Sequence, residues 1–248
     1  MNKAVSCACV LLALCAAVVA QDSAYYKAIE KAASTPIQPK EFKQMEQDAL
    51  KDYARPEGYE RLATAFGNST EKVWAVVYGE VFCNLSPDAD HRNAIGSLVY
   101  QSYEKSLSSN GGKLSVNLTE NAQAAQGQTP FESEFEIAFL MAAAPMGDGL
   151  MPLSVQKLTQ IRKNQLSLWN QKKLPSNELM RWQQNIIAAG NFDAYNYWLF
   201  QSARADEFNQ WTKEHQAQYQ TWLDWLAKNK FVIQIPDFQR LYFIRGRH

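Results

Sequence analysis

The chain has 248 residues, 46% of them hydrophobic and 20% charged, and its 25 basic residues equal its 25 acidic residues in number. This balance excludes an intrinsically disordered polyelectrolyte, a collagen-like repeat and a strongly basic nucleic-acid binder. We therefore expect a folded protein with no nucleic-acid partner.

Residues 1–20 have the pattern of a secretory signal peptide. Lys3 supplies a positive start, and residues 7–20 form an unbroken run of 14 apolar residues. Such a run is shorter than the roughly 20 residues that a membrane-spanning helix needs. We predict cleavage near Ala20-Gln21, a periplasmic or secreted protein, and no membrane span in the remaining chain. An uncleaved N-terminal anchor is the alternative.

Cysteine usage agrees with export. Three of the four cysteines lie in residues 1–20, so Cys83 alone remains after cleavage and no intramolecular disulfide can form. An exported chain of this length without disulfides is more typical of a bacterial periplasm than of a eukaryotic exterior. Asn68 and Asn117 each begin a glycosylation sequon, for which coincidence is the interpretation we favour.

Apolar residues return every three or four positions along most of residues 21–107, which predicts a series of short amphipathic helices. Residues 72–83 are apolar almost all round, and the length of this run favours a buried helix over a strand. The apolar stripes, in chain order, are Tyr25, Ile29 and Ala32; Phe42, Met45, Ala49 and Tyr53 after Pro39; Tyr59, Leu62 and Phe66 between Pro56 and Gly67; Val73, Trp74, Val76, Val77, Tyr78, Val81 and Phe82; and Ile95, Leu98, Val99, Tyr103 and Leu107.

The pattern breaks at residues 108–129, which are polar and rich in turn formers. Leu114, Val116 and Leu118 alternate with polar residues, which predicts a small β-prone insert near 113–119. We place a boundary here, with an N-terminal helical lobe at 21–107, a linker or β-prone loop at 108–130, and an aromatic-rich helical lobe at 131–248. A single domain made of both lobes is the alternative.

Helices resume after the insert. They are predicted over 131–144, over about 153–171, around Leu179, Trp182 and Ile186 with an end at Gly190, around Phe192, Tyr195 and Leu199, and as one long helix over about 206–228. The last residues are β-prone until Pro236 and predict an extended tail. The fold class is therefore all-α, built of antiparallel helical hairpins that are either repeat-like or an irregular bundle.

Two short patterns resemble tetratricopeptide repeats. Residues 189–193, followed by Tyr195, Leu199 and Ser202, are similar to the turn and second helix of that repeat, and residues 26–32 and 103–107 are similar to its second helix. The match covers about fifty residues. The second-helix segments begin at positions 26 and 103, which does not fit a period of about 34 residues, and Tyr195 stands where the family usually has alanine. The resemblance implies a helical-hairpin scaffold that binds peptides or proteins in a groove.

Asp88, Asp90 and His91 place two carboxylates and an imidazole within four residues, and these groups are common metal ligands. The same segment fits the start of a helix, with Ser86 as N-cap, Pro87 at the first helical position and acids in the first turn. No second cluster supplies further ligands at a recognised spacing. We therefore favour the capping interpretation and predict neither a metal nor a cofactor.

No catalytic residue is predicted. Glu132 and Glu136 share one helix face, so this helix alone does not place them on opposite sides of a bond. Glu132 also follows Thr129 and Pro130 at the spacing of a capping box. The sequence contains no nucleophile elbow, zinc-protease motif, phosphate-binding glycine loop or dinucleotide fingerprint.

Aromatic residues concentrate in the C-terminal half, which holds six of the seven tryptophans. Large rings at helical spacing form core in most proteins, yet rings that reach solvent bind peptides or sugars. The candidate binding residues are Trp211, His215, Tyr219, Trp222 and Trp225. We predict an exported, non-catalytic scaffold that binds a peptide or protein partner in a helical groove. The alternative is a cell-envelope protein that binds or hydrolyses glycans with tryptophan platforms and acidic residues. A weaker alternative is a metal-dependent enzyme at Asp88, Asp90 and His91.

Overall fold

The computed structural model describes residues 39–110, 113–119, 131–174 and 176–233. Ten α-helices and one two-stranded hairpin make up this part of the chain, and the helices pack in adjacent pairs. The all-α fold class with a small β insert is therefore confirmed. The predicted signal peptide, the first predicted helix and the tail beyond residue 233 lie outside the described residues.

The helices and strands follow in this order: α1 Pro39–Lys51, α2 Pro56–Gly67, α3 Lys72–Leu85, α4 Ala89–Ser106, β1 Leu107–Asn110, β2 Lys113–Val116, α5 Phe131–Ala143, a short 3-10 segment Ala144–Leu150, α6 Val155–Gln171, α7 Glu178–Ala188, α8 Phe192–Leu199, α9 Ala205–Glu214 and α10 Gln216–Lys228. Among these described elements no helix is both long and apolar enough to cross a membrane.

The ends of several helices follow from local chemistry. Pro39 and Pro56 occupy the first positions of α1 and α2, where a missing N–H costs nothing. Ser154 caps α6 by accepting a hydrogen bond from the backbone N–H of Lys157 (3.2 Å). Gly190 has φ +74°, a conformation that glycine adopts without strain, and it follows α7 where the sequence predicts the stop.

The β insert is an antiparallel hairpin in which Leu107 pairs with Val116 and Asn110 pairs with Lys113. The strand at Lys113–Val116 was expected. Its partner was not, because Leu107 fits the apolar stripe of α4, whereas the helix ends at Ser106 and Leu107 begins β1. The Glu136 carboxylate holds the exit of the hairpin by accepting from the backbone N–H of Leu118 and the next residue.

A single cluster of buried hydrophobic side chains runs from α1 to Ile233 and includes residues from both sides of the hairpin. Gly96 marks a close contact between two helices, since a Cβ built on that residue lies 2.2 Å from the backbone oxygen of Leu199. Helices α4 and α8 therefore meet backbone against backbone. The division into two lobes at residues 108–130 stays a prediction.

Two predicted details are wrong. The single helix expected over 206–228 is broken at His215, which has φ −125° and ψ 35° and separates α9 from α10. The N-cap of α4 is Asp88 rather than Ser86, and the helix begins at Ala89. The apolar spacing is continuous across His215, so periodicity alone does not reveal that break. Ser86 and Asp88 are both typical N-cap residues, so residue type alone does not choose between them.

Candidate functional site

Helices α9 and α10 bring part of the predicted binding set together. The rings of Trp211 and His215 stack with centroids 4.9 Å apart, and Tyr219 meets Trp211 edge to face at 6.4 Å. Phe208 packs against Tyr219 at 5.5 Å. We name these four residues, Phe208, Trp211, His215 and Tyr219, the aromatic surface.

Three parallel rings organise this surface. Tyr197 of α8 stacks on Trp211, with centroids 4.5 Å apart and planes 11° apart, and His215 also stacks on Trp211, with planes 7° apart. Tyr197 is buried, Trp211 is half-buried and His215 is exposed, so the stack runs from the core out to the solvent.

His215 is exposed and lies at the break between α9 and α10. Its ring Nδ1 is 3.0 Å from the backbone oxygen of Trp211. Because a carbonyl oxygen only accepts, Nδ1 carries the proton in this contact, and Nε2 of the neutral ring is an acceptor. The exposed end of the stack thus offers a flat ring with one acceptor nitrogen.

The other two candidates lie deeper. Trp222 is fully buried and meets the rings of Tyr195 and Trp198 edge to face at 5.3 and 5.8 Å. Trp225 is half-buried against Trp182, with centroids 5.1 Å apart. Trp222 is therefore a core residue, and Trp225 lies at the edge of the core.

The residues of the metal candidate have other partners. Asp88 accepts hydrogen bonds from the backbone N–H groups of Asp90 (3.0 Å) and His91 (3.1 Å), and these bonds lower the pKa of its carboxyl. His91 Nδ1 lies 2.9 Å from Glu60 Oε1. Across the described residues, no three His, Cys, Asp or Glu side chains are grouped so as to hold a metal ion.

Glu132 makes a buried contact that the capping-box pattern does not predict. Its carboxylate is buried, and Oε1 accepts a hydrogen bond from the indole N–H of Trp74 (2.7 Å). Thr129, the proposed N-cap, lies outside the described residues. The Glu132 hydrogen bond therefore holds α5 against α3, and the Glu136 hydrogen bonds hold the exit of the hairpin.

A buried polar cluster, which the sequence patterns do not predict, lies among the helices. Glu80 of α3 and Arg162 of α6 form an ion pair whose side chains are 0% and 2% exposed. Glu80 Oε1 also accepts from Gln183 Nε2 and Tyr195 OH, both at 2.7 Å, and Arg162 also donates to Asn196 Oδ1. These five residues, the buried polar cluster, come from α3, α6, α7 and α8.

Hydrogen bonds extend this cluster to Trp182. The Trp182 indole N–H donates to Asn84 Oδ1 (2.8 Å), and Asn84 Nδ2 donates to Tyr195 OH (2.8 Å). Tyr195 then donates to Glu80. One hydrogen-bonded chain therefore ties α7 and α8 back to α3.

Electrostatics favour the charged form of Arg162. Burial opposes the charge on Arg162, yet the adjacent Glu80 carboxylate raises the pKa of the guanidinium above its usual value. The guanidinium also lies over the rings of Phe192 at 5.3 Å and Phe200 at 5.5 Å. Burial, followed by the charge of Glu80, raises the pKa of Tyr195, which therefore remains a hydroxyl donor.

The cavity beside the buried polar cluster has a volume of about 10 Å³, which is room for about one water molecule. No organic substrate fits such a space. Cys83 nearby in sequence is buried, and burial raises the pKa of its thiol, which disfavours the nucleophilic thiolate. The geometry of this cluster is that of an internal support rather than of a substrate site.

One signal in the sequence could have revealed the cluster. Glu80 is an acidic residue within a run that is otherwise apolar all round, and buried carboxylates are nearly always paired. Arg162 likewise falls between the inward-facing Leu158 and Leu166 of α6. Each residue indicates a buried partner of opposite charge, but the sequence does not show that the two pair with each other.

Comparison of the chain with protein-family models, with curated proteins and with solved structures finds no match. The class that the fold defines is a mainly helical protein of adjacent hairpins. The turn at residues 189–191 does join two helices, α7 and α8. The similarity to tetratricopeptide repeats itself stays a prediction.

Proposed function

We propose that this protein is an exported helical scaffold that binds a peptide or protein partner through the aromatic surface, without catalysis. The observation that carries the proposal is that α9 contains no fully buried residue, although Phe208 and Trp211 lie on its inner side. The export part rests on the signal-like sequence of residues 1–20.

The burial of α9 and α10 is unusually slight for helices with large aromatic residues. Trp222 is the one fully buried residue among the two helices. An amphipathic helix gains most of its stability by burying its apolar side. Half-exposed tryptophan and tyrosine side chains are also the types that dominate binding hot spots between proteins. A partner that covers Trp211 and Tyr219 would complete this burial.

The charge and the hydrogen-bonding groups of α9 and α10 support a particular chemistry for the partner. Glu207 is paired with Arg204, and the remaining charged residues of α9 and α10 leave a small negative excess. They are Asp206, Lys213, Glu214, Asp224 and Lys228. The Nε2 acceptor of His215 favours a partner that carries a hydrogen-bond donor. Complementarity therefore favours a polypeptide segment that combines an apolar or aromatic side chain with an N–H or basic group.

The glycan alternative has less support. Sugar stacking needs a free ring face, and five of the seven tryptophans are buried. Of the two half-buried tryptophans, Trp211 stacks against Tyr197 and His215, and Trp225 packs against Trp182 and Trp222. The small cavity is lined by one carboxylate, Glu80, whereas glycoside hydrolysis uses two. We therefore propose no second function.

The test is a selection of peptides from a random displayed library against the purified protein, followed by affinity measurements in solution. We expect selected peptides to combine aromatic or aliphatic residues with Arg or Lys. His215→Ala and Tyr219→Ala should each weaken binding about tenfold, which is the loss of one hot-spot contact of ~1.4 kcal/mol. Circular dichroism should show unchanged helix content, because His215 is exposed and Tyr219 half-buried.

Ile137→Ala is the matched control. Ile137 is 42% exposed on α5 and lies outside the aromatic surface, so its truncation removes exposed apolar area elsewhere. Binding should be unchanged. If the selected peptides bind Ile137→Ala more weakly but bind His215→Ala unchanged, the binding site lies on α5. A selection that yields no peptide above background would refute the proposed function.

A further inference from the structure

Glu80 of α3 and Asn177, the N-cap of α7, line the same small cavity. Glu80 Oε2 and Asn177 Nδ2 have no hydrogen-bond partner among the described residues. Both residues are 0% exposed, and both line the cavity of about 10 Å³. Buried donors and acceptors that the protein leaves unpaired are normally satisfied by internal water.

The orientation of Asn177 is fixed by its other atom. Oδ1 accepts a hydrogen bond from the backbone N–H of Met180 (2.9 Å) as the N-cap of α7. Exchanging the amide oxygen and nitrogen would place an N–H₂ group against this N–H, so the assignment is unambiguous. The donor that remains is therefore Nδ2, and it belongs to a residue that lines the cavity.

Glu80 supplies the complementary acceptor. Its Oε1 already accepts from Arg162, Gln183 and Tyr195, which leaves Oε2 as the acceptor without a partner. A water molecule can donate to Oε2 and accept from Nδ2 at the same time. The volume matches one water, because a cavity needs about 10–15 Å³ to hold it.

We propose that a single water molecule occupies this cavity as a permanent part of the buried polar cluster, donating to Glu80 Oε2 and accepting from Asn177 Nδ2. It links α3 to the first turn of α7. A cation is disfavoured by the Asn177 N–H₂ group and by the Arg162 guanidinium, which also lines the cavity. An anion is disfavoured by the Glu80 carboxylate.

A high-resolution crystal structure of the protein tests this proposal, together with NMR cross-relaxation between water and the Asn177 side-chain amide. We expect one isolated density peak within hydrogen-bonding distance of both atoms, and a cross-peak between water and the Asn177 amide protons. A direct Asn177–Glu80 hydrogen bond with no peak would overturn the proposal. So would a peak that acquires anomalous signal after a rubidium soak, since that identifies a cation.

Filling the cavity with a larger side chain is a second test of the water site. Val76 lines the cavity, whereas Val81 is buried on the same helix but is not among the cavity residues. Val76→Ile should remove the peak and the cross-relaxation signal, and Val81→Ile should retain both. If Val76→Ile does not fold, Val77→Ile at a second lining position replaces it. Retention of the signal in the Val76 or Val77 variant would place the water elsewhere and refute the assignment.

Discussion

The Glu80 carboxylate pairs with the Arg162 guanidinium across 82 positions of the chain, with both side chains almost completely removed from solvent. A buried pair of this kind contributes little relative to apolar packing, but breaking it leaves one uncompensated charge. Its effect on folding is therefore seen most clearly when one partner is removed.

Glu80→Gln should destabilise the protein by about 3–5 kcal/mol, because Arg162 then remains buried and charged. Replacing both residues by apolar ones, Glu80→Leu with Arg162→Met, should lower the free energy of unfolding much less than the sum of the losses from the two replacements made singly. Urea unfolding followed by circular dichroism measures each value. Asp193→Asn, which breaks the half-exposed pair of Lys163 with Asp193, is the surface control and should cost about 0–1 kcal/mol. Additive losses at Glu80 and Arg162 would show that the pair is not coupled.

Gly96→Ala should be strongly destabilising. The new Cβ would lie 2.2 Å from the backbone oxygen of Leu199, and a backbone atom cannot move aside as a side chain can. We expect a loss of about 1–3 kcal/mol or a failure to fold, measured by thermal and urea unfolding. Gly149→Ala is the matched control, since nothing lies within 4 Å of its Cβ position. Equal stability of the two variants would contradict the close approach of α4 and α8.

The helix starts at Pro39 and Pro56 and the stop at Gly190 could be predicted because the cause of each is local. Proline fixes φ and lacks an N–H, and glycine accepts a positive φ, so each marks an end by its own chemistry. The pairing of Glu80 with Arg162 could not be predicted, because apolar periodicity carries no information about contacts 82 positions apart.

The aromatic surface shows a second limit of periodicity. Trp211, His215 and Tyr219 follow each other at steps of four residues, which indicates one continuous stripe. The break at His215 has neither proline nor glycine to announce it. At the end of α9 the oxygen of Trp211 accepts the backbone N–H of His215 (2.9 Å) and also lies 3.0 Å from His215 Nδ1.

Comparison of Trp74 with Trp222 measures how much a buried indole hydrogen bond contributes to stability. Both are 0% exposed, but Trp74 donates to Glu132 whereas Trp222 Nε1 has no partner among the described residues. Trp74→Phe should therefore cost about 1–3 kcal/mol more than Trp222→Phe, because it deprives a buried carboxylate of a donor. Chemical unfolding of both variants measures the difference. A greater loss at Trp222 would show that packing volume outweighs the hydrogen bond.

The Asp88 cap predicts a stability difference that depends on pH. Hydrogen bonds from the backbone N–H groups of His91 and Asp90 hold the pKa of the Asp88 carboxyl below its usual range. A lowered carboxyl pKa contributes stability above the ordinary aspartate pKa of about 4, and this contribution is lost as the pH falls through the lowered value. Asp88→Asn keeps an acceptor but has no charge to interact with the helix dipole.

At pH 7 the natural protein should therefore be more stable to unfolding than Asp88→Asn by about 0.3–1 kcal/mol, and it should lose this advantage in acid. Asp88→Ala should cost about 1 kcal/mol at pH 7, because the cap itself is removed. Urea midpoints at several pH values between neutrality and the acid limit of the fold measure both differences. Asp90→Asn, at a position that accepts neither capping bond, is the control and should show a smaller change. An advantage over Asp88→Asn that persists or grows in acid would have the wrong sign for a charged cap, and the stabilisation of α4 would then depend on the oxygen acceptor alone.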